Sequence, residues 1–422
     1  MTTQQQQQQQ YLQQQHGFTS GLTVAFEKEK LNCPIRIWLL DNSSFMNVKD
    51  AHIFQRGNNT DTNNATRWEE LQDCVMYHTQ MARNFVLPTK FALLNPNATL
   101  PQYFGIHQSG NLEQEMQIIT NNFARSRPDG ATTTVPLSKQ LRILRDYIVS
   151  VTPHLRSKNQ TASIIIATQG LPTDDDANKN AIQEFIQTLR SFEGLPVNFV
   201  IRLCTDEENS FQFYNMLDSD SDKINMDVLD DVHGEAIEIY LHNPWLTYGS
   251  ALHRFREMGF RINVLDVLDE RALTKMELVD LFYLLFATTT PLPHPEQDWN
   301  GFCRGVANLV QNEQPTWNPI TKTSTPWINI TMLHTFYSRQ EQQQTQQRPE
   351  YHRVSSWGSP TQPQQQQQYQ QQQYQQRPGN PSPPQAQYQQ QPQSQQNQYY
   401  QQQSQQQTQT PQQQYQQQTQ TP

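Results

Sequence analysis

The hydrophobic positions divide the chain into a central part that can form a buried core and two ends that cannot. Within residues 30–230, apolar runs of strand length alternate with segments in which apolar residues recur at helical spacing, as in 137–151. The runs at 34–41, 162–167 and 197–203 are predominantly apolar and predict strands that are covered on both faces. This alternation predicts parallel βαβ units and therefore an α/β fold, a doubly wound, mostly parallel sheet over 30–230.

Beyond residue 231 the pattern becomes helical. Apolar residues at helical spacing predict helices at 235–241, 250–258, 275–287 and 299–310. These segments are rich in aromatic residues, which need cover from water. We therefore expect a C-terminal helical extension, residues 231–338, packed on the α/β core.

The two ends of the chain are dominated by glutamine. Residues 4–15 are nearly all Gln, and residues 340–422 hold 41 Gln in 83 positions, with Pro, Ser, Thr and Tyr between them. Such segments bury too little apolar surface to offset the entropy of ordering the chain. The sequence therefore predicts disorder for 1–16 and 339–422. The spaced tyrosines of the C-terminal tail favour weak self-association.

The charge distribution argues against nucleic acid as the partner. Residues 1–350 carry all 39 acidic residues against 28 basic ones, a formal net charge of −11, and the remaining tail contributes only Arg353 and Arg377. A phosphate backbone would be repelled by such a core. We therefore expect protein partners and do not take nucleic-acid binding as the first hypothesis.

Cysteine usage and the lack of targeting signals indicate an intracellular protein. Cys33, Cys74, Cys204 and Cys303 are scattered without C-x-x-C spacing, the pattern of a reducing compartment. The N-terminus has no basic and apolar signal sequence, and no apolar segment reaches about 18 residues. The expected location is the cytoplasm or the nucleus, with no membrane association. Motifs for nucleotides, dinucleotides and serine hydrolases are also missing.

Three polar loops at predicted strand and helix boundaries resemble those of a known family. The segments LLDNSSFM (39–46), GATTTVPLSKQL (130–141) and ATQGLPTD (167–174) are similar, in order and spacing, to the three metal loops of the von Willebrand factor A (vWA) domain. The resemblance spans about residues 34–230. It implies a vWA-like, Rossmann-like sheet and, at its carboxyl end, a metal-ion-dependent adhesion site that binds a carboxylate of a partner protein.

Carried over position by position, the resemblance implies Asp41 and Ser43 as metal ligands, and it places Val135 at the position of the family's Thr, so that the adjacent Thr134 is the expected third ligand. The loops depart from the family pattern, because Phe45 stands where a second Ser is expected and Gln169 replaces an Asp. Loss of a carboxylate and a hydroxyl leaves little to compensate Mg²⁺ for its lost water. We therefore expect a degenerate site without a cofactor, Mg²⁺ being the ion that would bind if any does.

The resulting functional hypothesis is a non-enzymatic protein-interaction or scaffold protein. Partner binding would be metal-independent or weakly metal-assisted and would use Asp41, Ser43, Thr168 and Gln169 as polar contacts. Two alternatives from other classes stay open. One is a Gln/Tyr-rich condensate or nucleic-acid-associated component, and the other is an α/β enzyme whose acid and base lie on loops that sequence cannot pair.

Overall fold

A six-stranded sheet forms the centre of the α/β part. The computed structural model describes residues 3–55, 60–173, 180–205, 207–219 and 223–346. Its strands are β1 (Ile35–Leu40), β2 (Ala51–Gln55), β3 (Thr60–Ala65), β4 (Thr89–Leu93), β5 (Tyr103–Ile106), β6 (Ala162–Thr168), β7 (Val197–Leu203), β8 (Asn225–Leu229), β9 (Thr316–Asn318) and β10 (Thr323–Thr325).

Helices precede, separate and follow these strands. They are α1 (Thr3–His16), α2 (Ser20–Asn32), α3 (Arg67–Phe85), α4 (Leu112–Gln117), α5 (Leu137–Ser157), α6 (Ala181–Arg190), α7 (Glu208–Ser219), α8 (Val232–His242), α9 (Ser250–Arg256), α10 (Asn263–Asp266), α11 (Lys275–Leu285), α12 (Trp299–Val310) and α13 (Ile330–Gln346). No helix in the described ranges combines the length and apolar character needed to span a bilayer.

The central sheet has the order β5-β4-β1-β6-β7-β8. Its members are parallel except for the edge strand β5, which pairs antiparallel with β4. The prediction of a mixed α/β fold with a mostly parallel central sheet is therefore confirmed. The sequence pattern did not predict two antiparallel hairpins outside this sheet, β2–β3 and β9–β10.

The central sheet is covered by helices on both faces. On one face, Leu39, Ile164 and Ile201 pack with residues of α5, α6 and α7. On the other, Trp38 and Ile165 pack with residues of α3 and of the turn that follows α4. Because β1, β6 and β7 face apolar side chains on both sides, their sequences are mostly apolar rather than alternating.

The helices from α8 onward share one core with the N-terminal helices and the C-terminal end of α3. This core contains the buried side chains of Trp245, Phe255, Phe282, Phe302 and Trp327. Helices α8, α9, α11 and α12 lie close to the predicted segments.

The N-terminal Gln run differs from its prediction. Residues 1–16 were expected to be disordered, whereas Thr3–His16 forms helix α1. Gln is a good helix former, and the run is interrupted by Tyr11 and Leu12, of which Leu12 is fully buried in the helical core. Gly17, at φ 65°, ends the helix. Leu12, together with the Tyr11 ring that packs on Phe85 of α3, therefore attaches this segment to the protein.

At the other end, α13 extends to Gln346, past residue 338, where the helical extension was expected to end. The disorder predicted for 339–422 is therefore wrong for 339–346, and the rest of the predicted tail, 347–422, with its expected self-association, lies outside the described residues.

Candidate functional site

The strand order places a crevice at the carboxyl ends of β1 and β6. Numbered along the chain, the six strands of the central sheet lie in the order 3-2-1-4-5-6, so that the chain turns in opposite directions from these two neighbours. Ligands of open parallel sheets bind at such a switch point. Asp41 follows β1, and its N–H donates to the Ala167 carbonyl of β6 at 2.9 Å. The third sequence-predicted loop also reaches this edge, because the Ser44 N–H donates to the Thr132 carbonyl at 2.6 Å.

The Asp41 carboxylate joins these two loops. Its Oδ1 accepts from the Ser43 N–H at 2.8 Å, and its Oδ2 accepts from the Thr168 hydroxyl at 3.2 Å and the Gln169 N–H at 3.3 Å. Burial raises the pKa of the Asp41 carboxyl, while these donors lower it. Asp41 has no exposed surface. In this arrangement the carboxylate acts as a cross-link between loops.

The four side chains predicted to contact a partner are brought together, but they are turned inward. Ser43 and Thr168 are fully buried like Asp41, and Gln169 is 7% exposed. The Ser43 hydroxyl makes no well-aligned hydrogen bond within the described residues, although it lies close enough to lower the pKa of Asp41. A partner at this edge would meet the loops around these residues before the residues themselves.

A guanidinium group bonds the side chain that replaces the expected aspartate. Arg67, in the first turn of α3, donates through Nη1 to Gln169 Oε1 at 3.0 Å. Burial would lower the pKa of Arg67, but hydrogen bonds and charge interactions with Asp50 and Glu207 outweigh it, so the group stays charged. Its Nε lies 2.8 Å from Asp50 Oδ1. The Gln169 amide oxygen is therefore already used by a protein cation.

The Thr134 hydroxyl is not among the hydrogen-bond donors of Asp41. It donates instead to Asn95 Oδ1 at 3.1 Å, and the Asn95 amide donates to the Thr134 carbonyl at 2.8 Å. Asn95 is also linked to Asn42 by two hydrogen bonds of 2.8 and 2.9 Å. These bonds connect the loops that follow β1 and β4 with the loop that precedes α5.

Two large apolar side chains are exposed on the loop after β1. Phe45 is 44% exposed and Val48 is 43% exposed, whereas Met46 between them is fully buried. They lie in and directly after a short 3₁₀ turn, Ser44–Asn47. Phe45 therefore faces outward and does not fill the crevice.

Two groups of three side chains in the described part of the chain could hold a metal ion. Cys74, His78 and Glu257 are all buried, and Glu235, Glu238 and Asp269 lie in an acidic cleft. In both groups a carboxylate already contacts an arginine, since Glu257 is paired with Arg254, and Glu235 and Asp269 with the buried Arg256. Neither group includes Asp41, Ser43 or Thr134.

The thiol nearest the carboxyl edge is unsuited to nucleophilic chemistry. Cys204 directly follows β7 and is 2% exposed. Burial raises the pKa of its thiol to about 12, so the reactive thiolate is scarce at neutral pH. Cys204 therefore behaves as a small buried apolar residue.

Sequence reasoning missed Arg67 and the two asparagines that join the loops. A signal for Arg67 exists, because Thr66 and Glu69 form a capping box that begins α3. That motif places Arg67 at the first helical position. Its long-range contact with Gln169, 102 residues away, has no local signal.

Comparisons with known proteins do not assign a family. No family model and no curated protein match the chain. A solved structure with a similar region is that of a point mutant of the PilB minor pilin from Streptococcus sanguinis, at 11% identity and a TM-score of 0.31. The match covers 46% of this chain and 57% of that one.

Proposed function

We propose that this chain is a non-enzymatic protein-interaction protein whose α/β part is a vWA-type domain. Its partner would bind the loops at the carboxyl edge of the central sheet, without a metal ion. The observation that carries this proposal is the exposed Phe45 ring beside a set of internally bonded polar side chains.

The hydrogen bonds favour a metal-independent surface. Asp41 accepts three hydrogen bonds from its own loops, and the Gln169 oxygen accepts one from Arg67. A cation at Asp41 would have to compete with these donors, with a single carboxylate to attract it. The same bonds hold the loops in one conformation, which lowers the entropy lost when a partner binds.

Phe45 and Val48 are the residues best placed to contact the partner. Aromatic side chains that enter a pocket on the partner commonly contribute most of the affinity of a protein interface. We therefore propose that Asp41, Ser43 and Thr168 shape this surface and that Phe45 contacts the partner. The four free, buried cysteines fit a reducing compartment such as the cytoplasm or nucleus.

Site-specific photo-crosslinking in cells tests this proposal. A photoreactive phenylalanine analogue at position 45 of the full chain should give discrete adducts, which disappear when Val48→Asp is added. The control position is Tyr283, which is 41% exposed on α11. Chelation of divalent cations should leave the adducts unchanged. Adducts that are identical at both positions, or that need a divalent cation, would contradict the proposal.

A further inference from the structure

Two helices each present a pair of metal-binding side chains, one turn apart, to the same buried point. Cys74 and His78 are four residues apart on α3, and His253 and Glu257 are four residues apart at the end of α9. Residues at this spacing lie on the same face of a helix. All four are buried, with Glu257 completely so.

The distances between these side chains suit a four-coordinate ion. His78 Nε2 lies 2.9 Å from Glu257 Oε2, and Cys74 Sγ lies 3.5 Å from Glu257 Oε1. One ligand atom from each of the three residues lies within 4.8 Å of the others. In a tetrahedral zinc site, bond lengths of about 2.0–2.3 Å separate such atoms by about 3.4–3.6 Å. The two contacts with Glu257 are therefore within about half an ångström of the separations that a bound ion requires.

We propose that Cys74, His78 and Glu257 form a site for a divalent transition metal ion and that zinc is the ion they match. A thiolate, an imidazole and a carboxylate are the three ligand types that zinc uses in proteins. Three protein ligands leave the fourth tetrahedral position to a water molecule or another small ligand.

Carboxylates pair with the two arginines beside the site. Arg202 contacts Glu70, whose pKa is raised to about 7 by burial, and Arg254 contacts Asp73 and Glu257. Binding of the ion releases the proton of the Cys74 thiol to solvent as the sulfur–metal bond forms, which adds one negative charge at the site. The positive charge of the arginines is therefore offset by carboxylates and by the thiolate.

His253 is a positioning residue in this proposal. Its Nε2 lies 3.2 Å from Glu257 Oε1 but makes no well-aligned hydrogen bond within the described residues. On the other side of the ring, Nδ1 lies 3.2 Å from the Tyr248 hydroxyl. Such outer contacts orient metal ligands and tune their affinity.

A cleft lies next to the proposed site, separated from its three ligands by the side chains that contact Glu257. It has a volume of about 440 Å³, and both His253 and Arg254, which contact Glu257, line its wall. In the metal-free protein, Cys74 and His78 hydrogen-bond to Glu257 instead, and His78 needs only a change of tautomer to offer a lone pair. The same residues can therefore serve both states.

The test uses the full chain after removal of metal with a chelator. Calorimetric titration with Zn²⁺ should give one ion per chain. Co²⁺ should produce a sulfur-to-cobalt charge-transfer band together with the visible spectrum of a four-coordinate ion. Cys74→Ser should abolish that band and weaken binding at least about 100-fold, because outer contacts alone typically account for 10–100-fold. The matched control, Cys303→Ser, removes another buried thiol, in α12, and should change neither.

A second variant guards against misfolding of Cys74→Ser. Tyr248→Phe keeps all ligands and should weaken Zn²⁺ binding about tenfold while leaving the circular dichroism spectrum unchanged. Three results would overturn the proposal. These are no Zn²⁺ binding by the wild-type chain, a charge-transfer band that survives in a folded Cys74→Ser variant, and equal loss of the band in Cys303→Ser.

Discussion

Arg36 is a buried cation without a counter-charge, and its removal should stabilise the protein. The side chain projects from β1 and is 4% exposed, and its three guanidinium nitrogens have no hydrogen-bond partner within the described ranges. Its guanidinium carbon lies 5.0 Å from the centre of the Phe260 ring. Burial lowers the pKa of Arg36, which shows that the charged form is disfavoured there.

The expected gain follows from these contacts. Burying an ion costs several kcal/mol even after relaxation, and a desolvated cation–π contact returns about 2 kcal/mol. Met has a similar apolar stem and carries no charge. We therefore expect Arg36→Met to raise the free energy of unfolding by about 2 kcal/mol, within the range of about 1–4 kcal/mol seen when apolar residues replace buried ionic groups.

A second buried arginine, Arg256, serves as the control because it is paired with carboxylates, whereas Arg36 is not. Arg256 is 1% exposed, and its guanidinium contacts Glu235 at 2.6 Å, Asp227 at 2.9 Å and Asp269 at 3.1 Å. Arg256→Met leaves these carboxylates without their cation and should cost about 3–5 kcal/mol.

Urea unfolding of the full chain, followed by circular dichroism, measures both effects. The reasoning requires opposite signs for the two substitutions. A loss of more than about 1 kcal/mol in Arg36→Met would refute it, and would mean that a buried water molecule or anion compensates this guanidinium.

Two further substitutions give local tests. The Arg271 hydrogen bond is the main reason that the pKa of Glu277 is about 2, below its ordinary 4.5, so this carboxylate stabilises the fold above about pH 4.5 and the effect is lost as the pH falls towards 2. Arg271 is half-exposed, so solvent screening reduces the effect, and Glu277→Gln should lower the free energy of unfolding by about 1 kcal/mol at pH 7 and by little near pH 2. An equal loss of stability at both pH values would contradict this. Gly259 has φ +71°, and an added Cβ would lie 2.7 Å from the Ser163 side chain. Gly259→Ala should therefore lower the free energy of unfolding, measured in urea, by about 3 kcal/mol. Gly130→Ala, which has open space at its Cβ, should change it by less than about 0.5 kcal/mol. Similar losses in the two variants would refute the steric argument.

The central sheet could be predicted because its strands are short runs of mostly apolar residues. Strands β1, β6 and β7 are covered on both faces, so nearly every side chain in them is apolar. The hairpin strand β3, with the sequence TDTNNA, contains few residues that favour strands, and it was missed. Helix α1 was missed because composition cannot show that Leu12 reaches a core built from distant segments.

The sequence could predict that residues at the ends of adjacent parallel strands lie close together, but it could not predict which residues of two distant helices come into contact. Asp41 and Thr168 end adjacent parallel strands, and such ends meet at one edge of a sheet. His78 and Glu257 are 179 residues apart and meet only through the packing of α3 with α9. The spacings C-x-x-x-H and H-x-x-x-E are present in the sequence, but they are too common to indicate a site without that packing.

Because Leu12 is buried, a change in the number of glutamines after it should affect the fold, whereas a change in the number before it should not. Gln5 to Gln7 are exposed, so repeat expansion or contraction before Tyr11 lengthens or shortens a solvent-facing end of α1. An extra glutamine between Leu12 and Gly17 would turn Leu12 by about 100° around the helix axis and out of its pocket. Replication slippage in this tract is therefore harmless upstream of the anchor and destabilising downstream. The number of glutamines at 13–15 is therefore constrained by the structure, whereas the number in the run 4–10 can vary.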